Sequence, residues 1–218
     1  MRYGFYVSGN AGCLKKFLRS DFHFGDIAFI MIDNTDNREL PILCEALHIP
    51  FFEYSYKAEG LKGKEQNRFI SDKLLELMNS TSSDYCFAMG GRILVGDVLT
   101  EYENRLINIH PAILPSYKGL YPIDRALEDK ALLLGNTAHF VVGDVDSGPV
   151  IMQNLVLRKD YLDYDTVLDM QIPMFMQIVL WLRQGRIELN GGEVSVKDAV
   201  YEIGRFIPRL ELELGKDF

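Results

Sequence analysis

Asn108 and His110 stand two residues apart in an apolar run, residues 105–110, that stops at Pro111. On a strand the side chains alternate between faces, so the two polar groups point the same way. The proline ends ladder pairing at once and leaves both groups at the strand end. Asn brings an amide donor; His donates and also moves a proton near neutral pH. Together they suit the oxyanion that forms when a carbonyl carbon is attacked. An isolated Asn-x-His is as readily a capped strand end. A second stretch, residues 139–151, runs from an apolar strand into an acidic, glycine-bearing loop with Asp144 and Asp146. A carboxylate beside His110 would orient the ring and favour its charged form. Composition leaves the choice between the two aspartates open.

Two further stretches carry possible chemistry. Ser8-Gly9-Asn10-Ala11-Gly12 follows an apolar run and opens toward Lys15, Lys16 and Arg19. Free backbone N–H groups there suit a phosphate or another anion, or simply a tight strand-to-helix turn. The spacing is Gly-x-x-Gly, not the Gly-x-Gly-x-x-Gly of dinucleotide binding. Asp33, 33 − 9 = 24 residues after Gly9, is accordingly read as a turn residue beside Asn34. Gly90 and Gly91 close another apolar run, where they either form a turn or let a second molecule approach the backbone.

The elements that must hold these residues alternate along the chain. Residues 3–7, 27–32, 51–54, 85–89 and 105–110 read as strands. Residues 14–18, 39–47 and 65–78 have helical spacing. Such alternation predicts an α/β fold, a mostly parallel sheet with helices on both faces, whose ligands sit at the carboxyl ends of the strands. Beyond residue 134 the pattern changes. Residues 136–142 and 150–158 read as strands, and 166–182 as one long helix kinked or delayed by Pro173. Met170, Met174, Phe175, Met176 and Trp181 on that helix are read as core. Gly191 and Gly192 suggest a hairpin with residues 194–196.

With 218 residues, 48% of them hydrophobic, the chain is long enough for one globular domain. Its net charge of −8 argues against a nucleic-acid backbone as partner. Three cysteines at unrelated spacings fit a reduced, cytoplasmic protein rather than a disulfide scaffold or zinc site. The N-terminus lacks a signal-peptide pattern, and no apolar run is long enough to span a membrane.

Asn108-Ile109-His110-Pro111, Leu114-Pro115-Ser116-Tyr117-Lys118-Gly119, Ala138-His139-Phe140 and Asp146-Ser147-Gly148-Pro149 occur in an order that resembles the folate-dependent formyltransferases. The likeness is greatest to the glycinamide ribonucleotide branch. It runs from Tyr3 to about Glu188 and implies a Rossmann-like catalytic domain over residues 1–188. Residues 189–218 would be an extension packed on the same domain. The resemblance implies a triad of Asn108, His110 and Asp146, the last 146 − 110 = 36 residues after the histidine. It implies 10-formyltetrahydrofolate as co-substrate and no metal. The pterin would be held largely by main chain at Met89, Arg92, Ile93 and Leu94, and at Val141, Val142, Gly143 and Asp144. His139 would either support the site or pack as a structural histidine. Gly9, Asn10, Ala11, Gly12, Cys13 and Gln171 fall where the family grips its acceptor.

The departures fall on that acceptor side. The family's Gly-Ser-Asn run is Ala11-Gly12-Cys13 here. Gln66 and Asn67 stand where an arginine is expected, and Gln171 replaces a glutamate. The expected acceptor is therefore a small primary amine other than glycinamide ribonucleotide, such as an amino sugar nucleotide or an amino acid derivative. Glycinamide ribonucleotide itself, hydrolysis of formyltetrahydrofolate, dinucleotide oxidoreduction and non-catalytic folate binding are the other readings. The chain is expected to work as a monomer or homodimer, without nucleic acid or membrane.

Overall fold

The computed structural model describes residues 1–20, 26–34, 36–158 and 164–213. The chain divides into two compact units, Met1–Asn108 with Val141–Gly143, and Ile109–Phe140 with Asp144–Phe218.

In the first unit, runs such as YCFAM are continuously apolar, as strands buried on both faces must be. In chain order the elements are β1 (Arg2–Val7), α1 (Gly12–Arg19), β2 (Asp26–Ile32), α2 (Glu39–Ala46), β3 (Phe51–Glu53), α3 (Lys64–Thr81), β4 (Tyr85–Met89), α4 (Asp97–Glu101) and β5 (Leu106–His110). The strands lie in the order β3-β2-β1-β4-β5, all parallel. Phe5 stacks on Phe87 at 5.3 Å. On α3, Ile70, Leu74 and Met78 recur at helical spacing and pack with Tyr6, Phe29 and Cys86. Cys44 and Cys86 are buried. Burial pushes the Cys44 thiol up to about 11 and the Cys86 thiol further still, so both serve as packing groups rather than nucleophiles.

The second unit continues with α5 (Pro122–Glu128), β6 (Leu133–Phe140), β7 (Val150–Leu157), α6 (Tyr164–Asp169), α7 (Gln171–Arg183), β8 (Ile187–Asn190), β9 (Glu193–Val196) and β10 (Phe206–Ile207). Here β6 and β7 pair antiparallel, and β10 adds antiparallel to β7. The sheet is thus mostly parallel with an antiparallel edge. The long helix expected at residues 166–182 is two helices that meet at Met170. Pro173 is the third residue of α7, inside the first turn, where its missing N–H has no intrahelical acceptor to lose. Met174, Phe175, Ile178 and Trp181 on α7 are wholly buried, so this helix is core. The tail closes over it. Glu211 receives bonds from Arg186 at 2.6 and 2.7 Å and from the Trp181 indole at 3.3 Å. Among the described residues, no helix is long and apolar enough to cross a membrane.

Gly135 on β6 is forced by a close approach. A Cβ there would lie 1.9 Å from the Asn154 carbonyl oxygen on β7. The obstacle is backbone, so it cannot swing aside. Gly135→Ala is expected to destabilise the protein by about 1–3 kcal/mol, measured as a lowered midpoint in urea. An unchanged midpoint would mean that the strands separate more readily than their packing implies.

Candidate active site

His110 ends β5, and Ala112 N–H turns back to its carbonyl at 2.9 Å, so regular strand geometry stops there. The side chain is buried. Its Nε2 lies 2.9 Å from the Tyr117 carbonyl oxygen. A carbonyl only accepts, so the proton resides on Nε2. Nδ1 then faces Asp146 Oδ2 at 3.3 Å. The other carboxylate oxygen of Asp146 lies 3.6 Å from Nε2 of His139, whose Nδ1 pairs with the Phe140 carbonyl at 2.9 Å. A register shift in the β6–β7 ladder falls between Ala138 and His139, where a bulge re-aims side chains. Asp146 receives the Gly119 N–H at 2.8 Å and sits at φ 47°, a left-handed conformation that Asp tolerates. Of the two candidate aspartates, the fold thus brings Asp146 to His110, and Asp144 is exposed. Asn108 is the last residue of the first unit and half-buried. Alternation along β5 gives its side chain the same side of the strand as His110.

These surroundings set the charges. Burial lowers the His110 pKa, outweighing the Tyr117 carbonyl and Asp146, which raise it; His139 and Arg125 push it lower. The ring is therefore neutral at pH 7, with a bare Nδ1. For Asp146, burial acts upward, but bonds from His139 and the Gly119 N–H and the two imidazoles hold the carboxyl below its usual range. The pair is an ionised carboxylate beside a neutral base that gains a stabilising partner when it takes a proton.

The groups that fix this pair were given no role in the sequence reading, and two of them act through main chain. Tyr117 and Gly119 grip His110 and Asp146 with a carbonyl and an N–H, and between them Lys118 Nζ reaches Ser147 Oγ at 2.7 Å. Thr137, fully buried, donates to the Ala112 carbonyl at 2.7 Å and accepts from Leu114 N–H at 3.0 Å and Gln153 at 2.9 Å. It thereby anchors the loop that leads from His110 to Tyr117.

The residues expected to hold folate lie mostly in the first unit. Leu94 is buried in its core, and Val141 packs on the same cluster with its N–H on the Leu106 carbonyl at 2.8 Å. Met89 ends β4, and Val142 and Gly143 follow Val141 within that unit. Ile93 is half exposed. Arg92 lies over the Tyr56 ring at 5.0 Å and donates to Gln66 at 2.8 Å, with Nε buried and without a partner. Gly90 is required by a close approach within the protein: a Cβ would lie 1.8 Å from the Tyr6 ring. Asp33 is more than a turn residue. It is buried and accepts from the Tyr6 hydroxyl at 2.8 Å and Ser8 at 2.7 Å, so it is committed internally rather than offered to a ribose.

On the acceptor side, Gly9 and Asn10 line a cavity of about 470 Å³ with Lys15, Asn37, Arg38 and Glu39. Gly9 and Ala11 both have left-handed backbone, φ 61° and 50°, and α1 starts at Gly12-Cys13 without a side-chain cap. Lys15 is bonded to Asn10 at 2.7 Å and to Glu39 at 2.6 Å. Gln171 is buried, and its amide donates to Asn136 Oδ1 at 2.9 Å and toward the Ile109 carbonyl at 3.5 Å. Its polar head is thus engaged inside the second unit.

Known proteins resemble this chain in sequence and fold. A family model described as formyl transferase matches residues 1–167. Over 154 residues the chain is 34% identical to a formyltetrahydrofolate deformylase of Haemophilus influenzae, covering 69% of this chain and 52% of that protein. It is 39% identical over 96 residues to the human trifunctional purine biosynthetic protein adenosine-3, covering 43% of this chain and 10% of that protein. Among solved structures, glycinamide ribonucleotide transformylase 1 from Symbiobacterium toebii matches with a TM-score of 0.77 at 26% identity, over 91% of this chain and 94% of that one. The chain spans about half the length of the curated deformylases that it matches. On a family match that covers most of its length, the chain belongs to the formyl transferase family.

Proposed function

We propose that the chain transfers the formyl group of 10-formyltetrahydrofolate to a primary amine of a small acceptor other than glycinamide ribonucleotide. The observation that carries the chemistry is His110, with Nε2 donated to Tyr117 and Nδ1 beside the Asp146 carboxylate. The amine nitrogen attacks the formyl carbon, and the carbonyl oxygen becomes an oxyanion that accepts from the Asn108 amide. His110 Nδ1 takes the proton of the attacking nitrogen. Asp146 stabilises the imidazolium that results. The same proton passes to the folate nitrogen as its bond to the formyl carbon breaks, which releases tetrahydrofolate and the N-formyl amine. Main chain around residues 92–94 and 141–144 would hold the pterin.

The acceptor is argued from what the site offers it. Ala11, Gly12 and Cys13 bring no hydroxyl or amide, and Gln171 is spent on Asn136. An amino acid derivative, or an amino sugar whose nucleotide phosphates lie away from this loop, fits such a site better than a ribonucleotide phosphate does. Hydrolysis, with water in place of the amine, is the second reading, and the deformylases among the curated relatives favour it.

Tetrahydrofolate release from 10-formyltetrahydrofolate separates these readings. The expected result is turnover with a nucleotide-linked amino sugar or an amino acid amine, and background rates with glycinamide ribonucleotide or with no acceptor. Turnover without acceptor would instead establish the hydrolase. Turnover only with the ribonucleotide would show that backbone N–H groups alone hold its phosphate.

A further inference from the structure

The Tyr117–Lys118–Gly119 segment touches both members of the reacting pair, yet its own conformation is not self-supporting. Tyr117 lies at φ 56° and Gly119 at φ 83°. Left-handed backbone at a tyrosine costs energy and persists only where the surroundings impose it. The imposing group is Arg125 on α5. Its Nη2 donates to the Lys118 carbonyl at 2.5 Å, and its guanidinium lies 6.0 Å from the Tyr117 ring centroid. Its Nε is buried and has no hydrogen-bond partner among the described residues, so the side chain keeps this pose at the cost of an unsatisfied donor. We infer that Arg125 is a positioning residue for His110 and Asp146, acting through the backbone of residues 117–119 and through its charge. The inference rests on the proposed proton transfer at His110 but concerns a residue that touches neither substrate.

Arg125 acts in two ways. Its planar fork holds the Lys118 carbonyl, and with it the Tyr117 carbonyl that fixes the proton on His110 Nε2 and the Gly119 N–H that holds Asp146. Its charge disfavours the protonated form of His110. The groups that face His110 are Asp146 from the loop after β6, His139 from β6, and Arg125 from α5. Tyr117 in turn faces Asp129 and Arg125. Removing the guanidinium takes away a repulsive neighbour but also releases the Tyr117 carbonyl and Asp146, which raise the His110 proton affinity more than Arg125 lowers it, so His110 should protonate at lower pH.

The test pairs Arg125→Met with Arg125→Lys and reads both turnover and the titration of His110, followed by NMR of ¹³C-labelled histidine with the His110 signal assigned by loss in His110→Gln. For Arg125→Met, kcat is expected to fall about 10-fold or more with KM for folate within about threefold, because the pair is misplaced rather than the co-substrate lost. The His110 midpoint should fall. Arg125→Lys keeps the charge and loses the fork. It should bring both kcat and the midpoint only part of the way back to wild type. Wild-type kcat in both variants, or a His110 midpoint that stays put in Arg125→Met, would overturn the inference. If Arg125→Met does not fold, full kcat in Arg125→Lys would do so. The titration needs no acceptor, so failure to find turnover would count against the proposed function and leave this test standing.

Discussion

Asp146→Asn should lower kcat by about 10²- to 10⁴-fold, the range that a positioned proton-transfer group contributes, while KM for 10-formyltetrahydrofolate stays within about threefold. The asparagine keeps the shape and can still accept the Gly119 N–H, so the loop has no steric reason to move. What disappears is the negative charge beside His110 Nδ1. The sign of the pH response then follows. Asp146 raises the proton affinity of His110 in the wild type. Without it the midpoint falls further below the ordinary histidine value. The acidic limb of kcat/KM, where protonation of His110 abolishes the base, therefore moves to lower pH. More of the enzyme carries a neutral base at pH 6, yet each base is weaker and its imidazolium unsupported. A fall in kcat together with an acid limb displaced to lower pH is the signature of that role. Loss of kcat with an unmoved limb would assign Asp146 to loop structure, and full activity would remove it from the reaction.

The sequence reveals the parts of this site that depend on side-chain type and hides those that depend on backbone. Asn108 and His110 were legible because a two-residue period on an apolar run fixes a common face, and Pro111 fixes the end of the strand. Strands β1, β2, β4 and β5 were legible because buried parallel strands are continuous apolar runs. The choice of Asp146 over Asp144 came only with the family resemblance, since composition does not show which of two similar loop residues takes the left-handed turn. Tyr117 and Gly119 stood in a motif quoted for that resemblance but with no role, because they act by main-chain groups that every residue has, and the buried Thr137 reads as an ordinary strand residue. The short helices α4 and α5 span too few turns to show a period. Gln171 shows the converse limit. Its type and position suggested an acceptor-facing group, and only the fold shows its amide bonded to Asn136.

Asn108→Ala should lower kcat by about 10²- to 10³-fold, or roughly 3–4 kcal/mol of barrier, the usual cost of one oxyanion donor. The His110 Nε2–H is taken by the Tyr117 carbonyl, and its Nδ1 is engaged in proton transfer beside Asp146. The Asn108 amide, which strand alternation places on that side of β5, is the donor assigned to the developing oxyanion. Alanine removes the donor without adding charge, so the pH limb of His110 should stay where it is. Asn108→Asp is the sharper comparison. It has almost the same size but replaces the donor with a carboxylate that repels the oxyanion, so its kcat should fall below that of alanine. A new negative charge two residues from His110 should also raise the imidazole midpoint and move the acid limb to higher pH, the reverse of Asp146→Asn. Alanine activity within about fivefold of wild type would assign the oxyanion to another donor. Equal losses in alanine and aspartate, with no displacement of the limb, would place Asn108 in the packing of the strand end rather than in the reaction.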